Sequence, residues 1–366
     1  MNKTLPFSPN WATPPGSTIK DVLSEKKVSN NDFAHKMNID LDTIELLLNG
    51  KLSIDENLAS KLENVLGSTK SFWLKREEQY KKGLENINEI DVWLKQVPYK
   101  DMLKFGWLEN KNNIYKSCLD FFNVDNFQDF KVKYDFLLNT VSFRKSSAFI
   151  SENLSTISWI RRAEILAGNY KCRKWDKELF IETLEDRIKP LTRKKSPKQF
   201  LPELIRYCED CGVAVVIVPT PQKCTASGAT KFIDEDKALL ILSFRYLSDD
   251  QFWFTFFHEA GHLILHSHKS LRIESENNLE FVADEELEAN LFAAEMLIHI
   301  NLRKELYTLK SDKRKILELA MRAGVSPGII VGQMQHYKII SPSYLNGYKK
   351  RYTWEEINEA LIHINH

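Results

Sequence analysis

Cysteine is scarce in this chain: five residues in 366, at positions 118, 172, 208, 211 and 224. An odd and thinly spread set excludes a disulfide-stapled secreted scaffold and predicts a cytoplasmic chain working in a reducing compartment. Cys208-x-x-Cys211 has no second pair at ligand spacing, so it reads as a helix end rather than a redox or metal pair. Long apolar runs are missing too. No stretch of about 18 apolar residues occurs, which excludes a membrane-spanning helix. The polar N-terminus with two early prolines predicts no signal peptide. Neither sign of charge dominates, with 51 Lys and Arg against 50 Asp and Glu. The chain as a whole therefore has no preference for a polyanion. What is left is an ordinary globular composition, 43% hydrophobic, at a length that predicts two to three domains.

Against this plain background stands His258-Glu259-Ala260-Gly261-His262, an HExxH pentapeptide. It is preceded by Phe252-Trp253-Phe254-Thr255-Phe256-Phe257 and followed by Leu263-Ile264-Leu265-His266. Apolar residues on nearly every side predict a buried helix. Positions i and i+4 share one face of a helix, so both imidazoles can bind one metal ion, and zinc suits them. Glu259 then stands where a carboxylate can act as general base on a water. Two surface histidines would not carry such flanks, and buried ones one turn apart need a partner.

A zinc hydrolase needs a third protein ligand and an open fourth position. The segment Asp284-Glu285-Glu286-Leu287-Glu288-Ala289-Asn290-Leu291-Phe292-Ala293-Ala294 forms helix readily, with Leu287, Leu291, Ala294 and Leu297 or Ile298 as the expected apolar stripe. Glu286 is the favoured ligand, with Asn290 one turn on orienting a histidine. Glu288 and then Glu285 are the alternatives. No oxyanion stabiliser is singled out; His266, His268, His299 and His336 remain candidates.

Near the N-terminus, Ser17 or Thr18 is expected to cap a helix running to Glu25. Ser29 caps a second, Asn30 to Met37, with Phe33, Ala34 and Met37 inward. Asn38-Ile39-Asp40 makes a turn, and Leu41 to Leu48 forms a third helix stopped by Asn49-Gly50. Further helices are expected near Glu56–Leu66 and Thr69–Tyr80. This is a helix-turn-helix pattern, and its third helix would present Asp40, Asp42, Thr43 and Glu45 to DNA or to a partner. From Thr18 to Glu56 five lysines face eight acids, a net of −3. Carboxylates against phosphates remove the counterion-release gain that drives DNA binding, so the charge argues for weak DNA binding or a protein partner. Glu89 to Lys195 reads as a helical, aromatic-rich connector whose aromatics belong to a core. Leu319 to His336 imitates a second helix-turn-helix and reads instead as a helix pair folded back on the preceding domain.

HEAGHLILH followed by ExxANxFAAExLI resembles the ImmA/IrrE family of zinc metallo-endopeptidases. Cys211 to Pro219 and Ala238 to Arg245 look like the strands preceding the catalytic helix there, and Ala238 to Phe244, the nearest strand before that helix, is where an extended peptide is expected to add. His299 departs from the family, which more often ends this helix with proline. Pro14-Pro15-Gly16-Ser17-Thr18-Ile19, Leu47-Leu48-Asn49-Gly50 and Ser71-Phe72-Trp73-Leu74 resemble HigA-type antitoxins of the XRE helix-turn-helix class. The resemblances together imply an α+β, mainly helical chain: a five-helix module over 1–88, a helical connector over 89–195, and a gluzincin-like domain over 196–366 with a small sheet. They imply a zinc endopeptidase with Glu259 catalytic and His258, His262 and Glu286 on the metal. Its protein substrate would be a repressor or antitoxin, with DNA, a toxin or a second copy as further partners. A HigA-like regulator whose peptidase-like domain only binds a partner is the alternative.

Overall fold

A computed structural model of the chain describes residues 12–109, 112–139, 147–266, 272–274, 283–309 and 312–362. It is mainly helical, with one four-stranded sheet. The residues divide between two compact units, one of residues 12–99, 112–120 and 124–129 and one of residues 100–109, 121–123 and 130–362. Among the described residues no helix is long and apolar enough to cross a membrane.

The first unit is built on α1 (Pro15–Glu25), α2 (Asn30–Met37), α3 (Leu41–Leu48), α4 (Glu56–Leu66) and α5 (Lys70–Gln96). Ser29, Asp40, Asp55 and Thr69 cap the last four, each accepting from a backbone N–H three residues on. The first helix departs from expectation. It starts at Pro15, and neither Ser17 nor Thr18 caps it, because proline at the first position has its φ already set for a helix. A Cβ on Gly16 would collide with the carbonyls of Leu47 and Leu48, so glycine is what lets α1 meet the end of α3. Ile19, Phe33, Ile44, Leu62 and Trp73 fill the centre with almost no exposure. The last helix was expected to end near Tyr80, yet it continues past residue 88 to Gln96. It holds Trp93 in contact with Tyr115 and Phe127.

Next along the chain come α6 (Tyr99–Lys104), α7 (Ile114–Phe122), α8 (Phe127–Asn139), α9 (Ser147–Ala167) and α10 (Lys177–Thr183). Their aromatics are core residues: Phe122, Phe130 and Tyr134 are buried against one another.

The second unit centres on the sheet, with order β1 (Val213–Ile217), β3 (Lys237–Leu242), β2 (Gly228–Asp234) and β4 (Arg272–Glu274) across it. β1 and β3 run parallel, while β2 is antiparallel to both β3 and β4. Val213, Val215, Ala238 and Leu240 join the main core with α11 (Pro197–Glu209) and α12 (Asp249–Leu265). The alternate set, Ala214, Val216, Leu239 and Ile241, is buried as well, and α9 packs against the same two strands. Trp159 on α9 donates its indole N–H to the carbonyl of Val218 at 2.9 Å. Because β3 lies between β1 and β2, it is not the open edge expected of Ala238–Phe244; its backbone groups are used on both sides.

The unit is completed by α13 (Ala283–Leu297), α14 (Ile300–Arg303), α15 (Lys313–Ala323), α16 (Pro327–His336) and α17 (Trp354–Ile362). The helices α15 and α16 enter the same core as α12 through Ile316, Leu319, Ile330 and Met334. On α13 the expected stripe is buried only in its second half, at Ala294, Leu297 and Ile298. Leu287 and Leu291 are exposed, while Ala289, Ala293, Ala294 and Leu297 face inward. Small residues win that face because α13 lies close to α12: a Cβ on Gly261 would sit 3.0 Å from the Phe292 ring.

Candidate metal centre

The helix α12 begins with Asp249 and Asp250, whose charge complements its positive N-terminal end. Aromatic side chains then bury it, so that His258, Glu259 and His262 are at most 3% exposed. One turn apart, His258 and His262 bring their Nε2 atoms to 3.0 Å. From α13, Glu286 reaches both, Oε2 to His258 Nε2 at 3.3 Å and Oε1 to His262 Nε2 at 3.3 Å. These three residues form the cluster of potential metal ligands among the described residues.

Metal bonds of about 2.05 Å at tetrahedral angles place neighbouring ligand atoms about 3.3 Å apart. The three separations here, 3.0, 3.3 and 3.3 Å, are close to the edges of such a tetrahedron. Two imidazoles and a carboxylate are the donor set of a hydrolytic zinc site with one position left open. The residues fit the ion.

Electrostatics points the same way. Burial alone would push the Glu286 carboxyl up, but hydrogen bonds from His258 and His262 overrule it and hold it at about 2. Burial lowers the pKa of His262, which favours the neutral ring that a metal requires.

Each histidine is oriented from behind. Asn290 Oδ1 stands 3.1 Å from His258 Nδ1. His266, at the end of α12, puts Nδ1 3.0 Å from His262 Nδ1 and Nε2 3.1 Å from Glu288 Oε2. Glu288, the alternative ligand from sequence, therefore points to His266 and away from the trio. Glu285 is likewise outside it. Of the other histidines, His299 caps α14, His336 is exposed beside Phe254 and Tyr337, and His268 lies outside the described residues.

Glu259 meets a strand that sequence reading missed. In an antiparallel pair, opposed residues share a face, and Gly228 on β2 opposes Leu242 on the face toward α12. A Cβ on Gly228 would lie 2.6 Å from Glu259 Cγ, with Oε1 closer still, so glycine makes room for the carboxylate. The GATKFID run offered one signal, its β-branched and aromatic Thr230, Phe232 and Ile233. The outer side of β2 pairs with β4 from Gly228 to Thr230.

In the first unit, Asp40, Asp42 and Glu45 are exposed, as expected of α3. Asp40 and Thr43 serve each other: the Thr43 backbone N–H and hydroxyl both donate to the Asp40 carboxylate, at 2.8 and 2.7 Å. These bonds lower the Asp40 pKa and fix its charge at the helix start.

Comparison with known proteins places this site in a class. Residues 208–332 match the family described as Peptidase_M78, IrrE N-terminal-like domain, a span running from the end of α11 into the middle of α16. The N-terminal part is similar to the uncharacterized HTH-type transcriptional regulator YddM of Escherichia coli (strain K12), 40% identical over 60 residues. That alignment covers 16% of this chain and 64% of the relative, just under two thirds of its length.

Proposed function

We propose that the chain is a zinc-dependent endopeptidase that regulates transcription or a toxin–antitoxin-like system by cleaving a regulatory protein, a repressor or antitoxin. Its N-terminal helical unit would hold DNA or a protein partner. The observation that carries the reading is the His258, His262 and Glu286 cluster at tetrahedral separations, with Glu259 next to His258 in the same buried helix. The match to a peptidase family over 208–332 supports it. Bound zinc would supply a Lewis acid that acidifies a water and polarises the scissile carbonyl.

The chain's own residues do the rest. His258, His262 and Glu286 would hold the ion, and Asn290 would fix the ring of His258. Glu259 accepts the proton of the attacking water and returns it to the leaving amine, which departs as the peptide bond breaks. Burial of Glu259 keeps bulk water from competing for that proton. Acidic residues Asp42 and Glu45 on α3 favour a protein partner over generic duplex DNA.

The test is metal analysis of purified protein with turnover of a peptide library. The reading expects about one zinc per chain, lost in His262→Ala, and cleavage that depends on it. A second reading, a regulator whose peptidase-like domain only binds a partner, draws support from the similarity to an HTH-type regulator. Zinc uptake without cleavage of any peptide or candidate repressor would favour it.

A further inference from the structure

We infer that His266 and Glu288 form a one-way hydrogen-bond relay that positions His262 as a metal ligand. The inference rests on the metal-site reading above. His262 has two ring nitrogens with different neighbours. Its Nε2 faces His258 and Glu286, at 3.0 and 3.3 Å, so this is the nitrogen that meets the ion. An ion on Nε2 takes that lone pair and leaves the ring proton on Nδ1. Nδ1 lies 3.0 Å from Nδ1 of His266, which must then accept. The proton of His266 is thereby forced onto Nε2, and this atom lies 3.1 Å from Glu288 Oε2. Each link fixes the next: His262 donates to His266, and His266 donates to a carboxylate.

The carboxylate at the far end stabilises this order over its reverse and increases the electron density that His262 offers the ion. The relay runs from a buried ring to water, since the side chains of His262, His266 and Glu288 are 1, 5 and 61% exposed. His258 has a different support, the neutral amide of Asn290 at 3.1 Å. The two histidines of the motif are therefore backed unequally, one by an amide and one by an imidazole–carboxylate pair.

The test uses full-length protein stripped of metal and titrated with zinc against a chromophoric chelator. Glu288→Ala should weaken zinc binding by about 10- to 100-fold, the usual effect of removing such a support. Glu288→Gln, which keeps an acceptor oxygen without the charge, should recover part of that loss. Because Glu288 is exposed, the metal-free melting temperature of Glu288→Ala should equal that of the wild type. Nitrogen-15 NMR of the zinc-loaded wild type should find His266 protonated at Nε2, and Glu288→Ala should lose that single tautomer. Unchanged zinc affinity in Glu288→Ala, or His266 protonated at Nδ1 in the wild type, overturns the relay alone. A wild-type chain that takes up no zinc overturns the metal-site reading itself, and the relay with it.

Discussion

Glu259 is completely buried, and the strand beside it has no side chain to spare it room. Two predictions follow from that contact. Glu259→Gln keeps the shape but cannot take a proton, so peptide turnover should fall about 10²- to 10⁴-fold while zinc content stays at the wild-type level. Near-wild-type turnover would remove Glu259 from the general-base role. Gly228→Ala should push the carboxylate aside and lower turnover about 10²-fold, with zinc affinity little changed. An alanine variant as active as the parent would show that the strand does not position this group. The spacing of His258, Glu259 and His262 is legible in sequence because all three ride on one helix, whose period is fixed. Gly228 is not, because it meets Glu259 only after a sheet has been laid against that helix. The role of His266 is hidden for a related reason: its partner Glu288 belongs to another helix, whose approach depends on the packing of Gly261.

Helix α16 carries two glycines against the acidic start of α12. A Cβ on Gly328 would lie 2.6 Å from Asp249 Oδ1, and one on Gly332 would lie 2.8 Å from Asp250 Cβ. Gly328→Ala should therefore cost about 1–3 kcal/mol by overpacking, read as a lower midpoint in urea. An unshifted midpoint would mean that α16 moves away at no cost. On α3, Asp42→Arg with Glu45→Arg removes two acids and adds two bases while leaving the Asp40 cap intact. Affinity for duplex DNA should rise, with a steeper dependence on salt. Tight, sequence-specific binding by the unmodified chain, indifferent to that reversal, would restore a DNA-reading role to this face. Helices α2, α3 and α4 are readable from sequence because a capping side chain and an apolar period agree at each. The orientation of α13 is not, since Leu287 and Leu291 have the right period for a core face but alanines allow the closer approach. For β2, a start at Gly228 and an acidic end mask a short strand whose worth lies in what it touches.

For the whole chain, metal removal is the decisive perturbation. Stripping zinc with a chelator should abolish peptide cleavage, and zinc alone should restore it. Zinc at about a hundred times its dissociation constant should add about 2.7 kcal/mol to the stability of the second unit, visible as a higher melting temperature. A melting curve indifferent to zinc would exclude a ligand set formed by folding. The second unit is also closed by its own late segment. Asp249, fully buried, accepts from the Ser326 hydroxyl at 2.7 Å and from the Lys350 backbone N–H at 2.9 Å. Lys349 meets Asp250 as an ion pair at 2.6 Å, and the Lys350 ammonium donates to the carbonyls of Thr192, Arg193 and Lys194.

Those contacts set a clock during synthesis. The partners of Asp249 follow it by 77 and 101 residues. At about 5–20 residues per second, the helix that carries HEAGH waits about 5–20 seconds on the ribosome before its first carboxylate can be clasped. The motif is therefore made long before the unit that holds it can close, and a nascent chain carries the histidines and glutamates of the site without their finished scaffold. Under the proposed function, cleavage activity should appear only once Ser326 and Lys350 have left the ribosome and closed on Asp249.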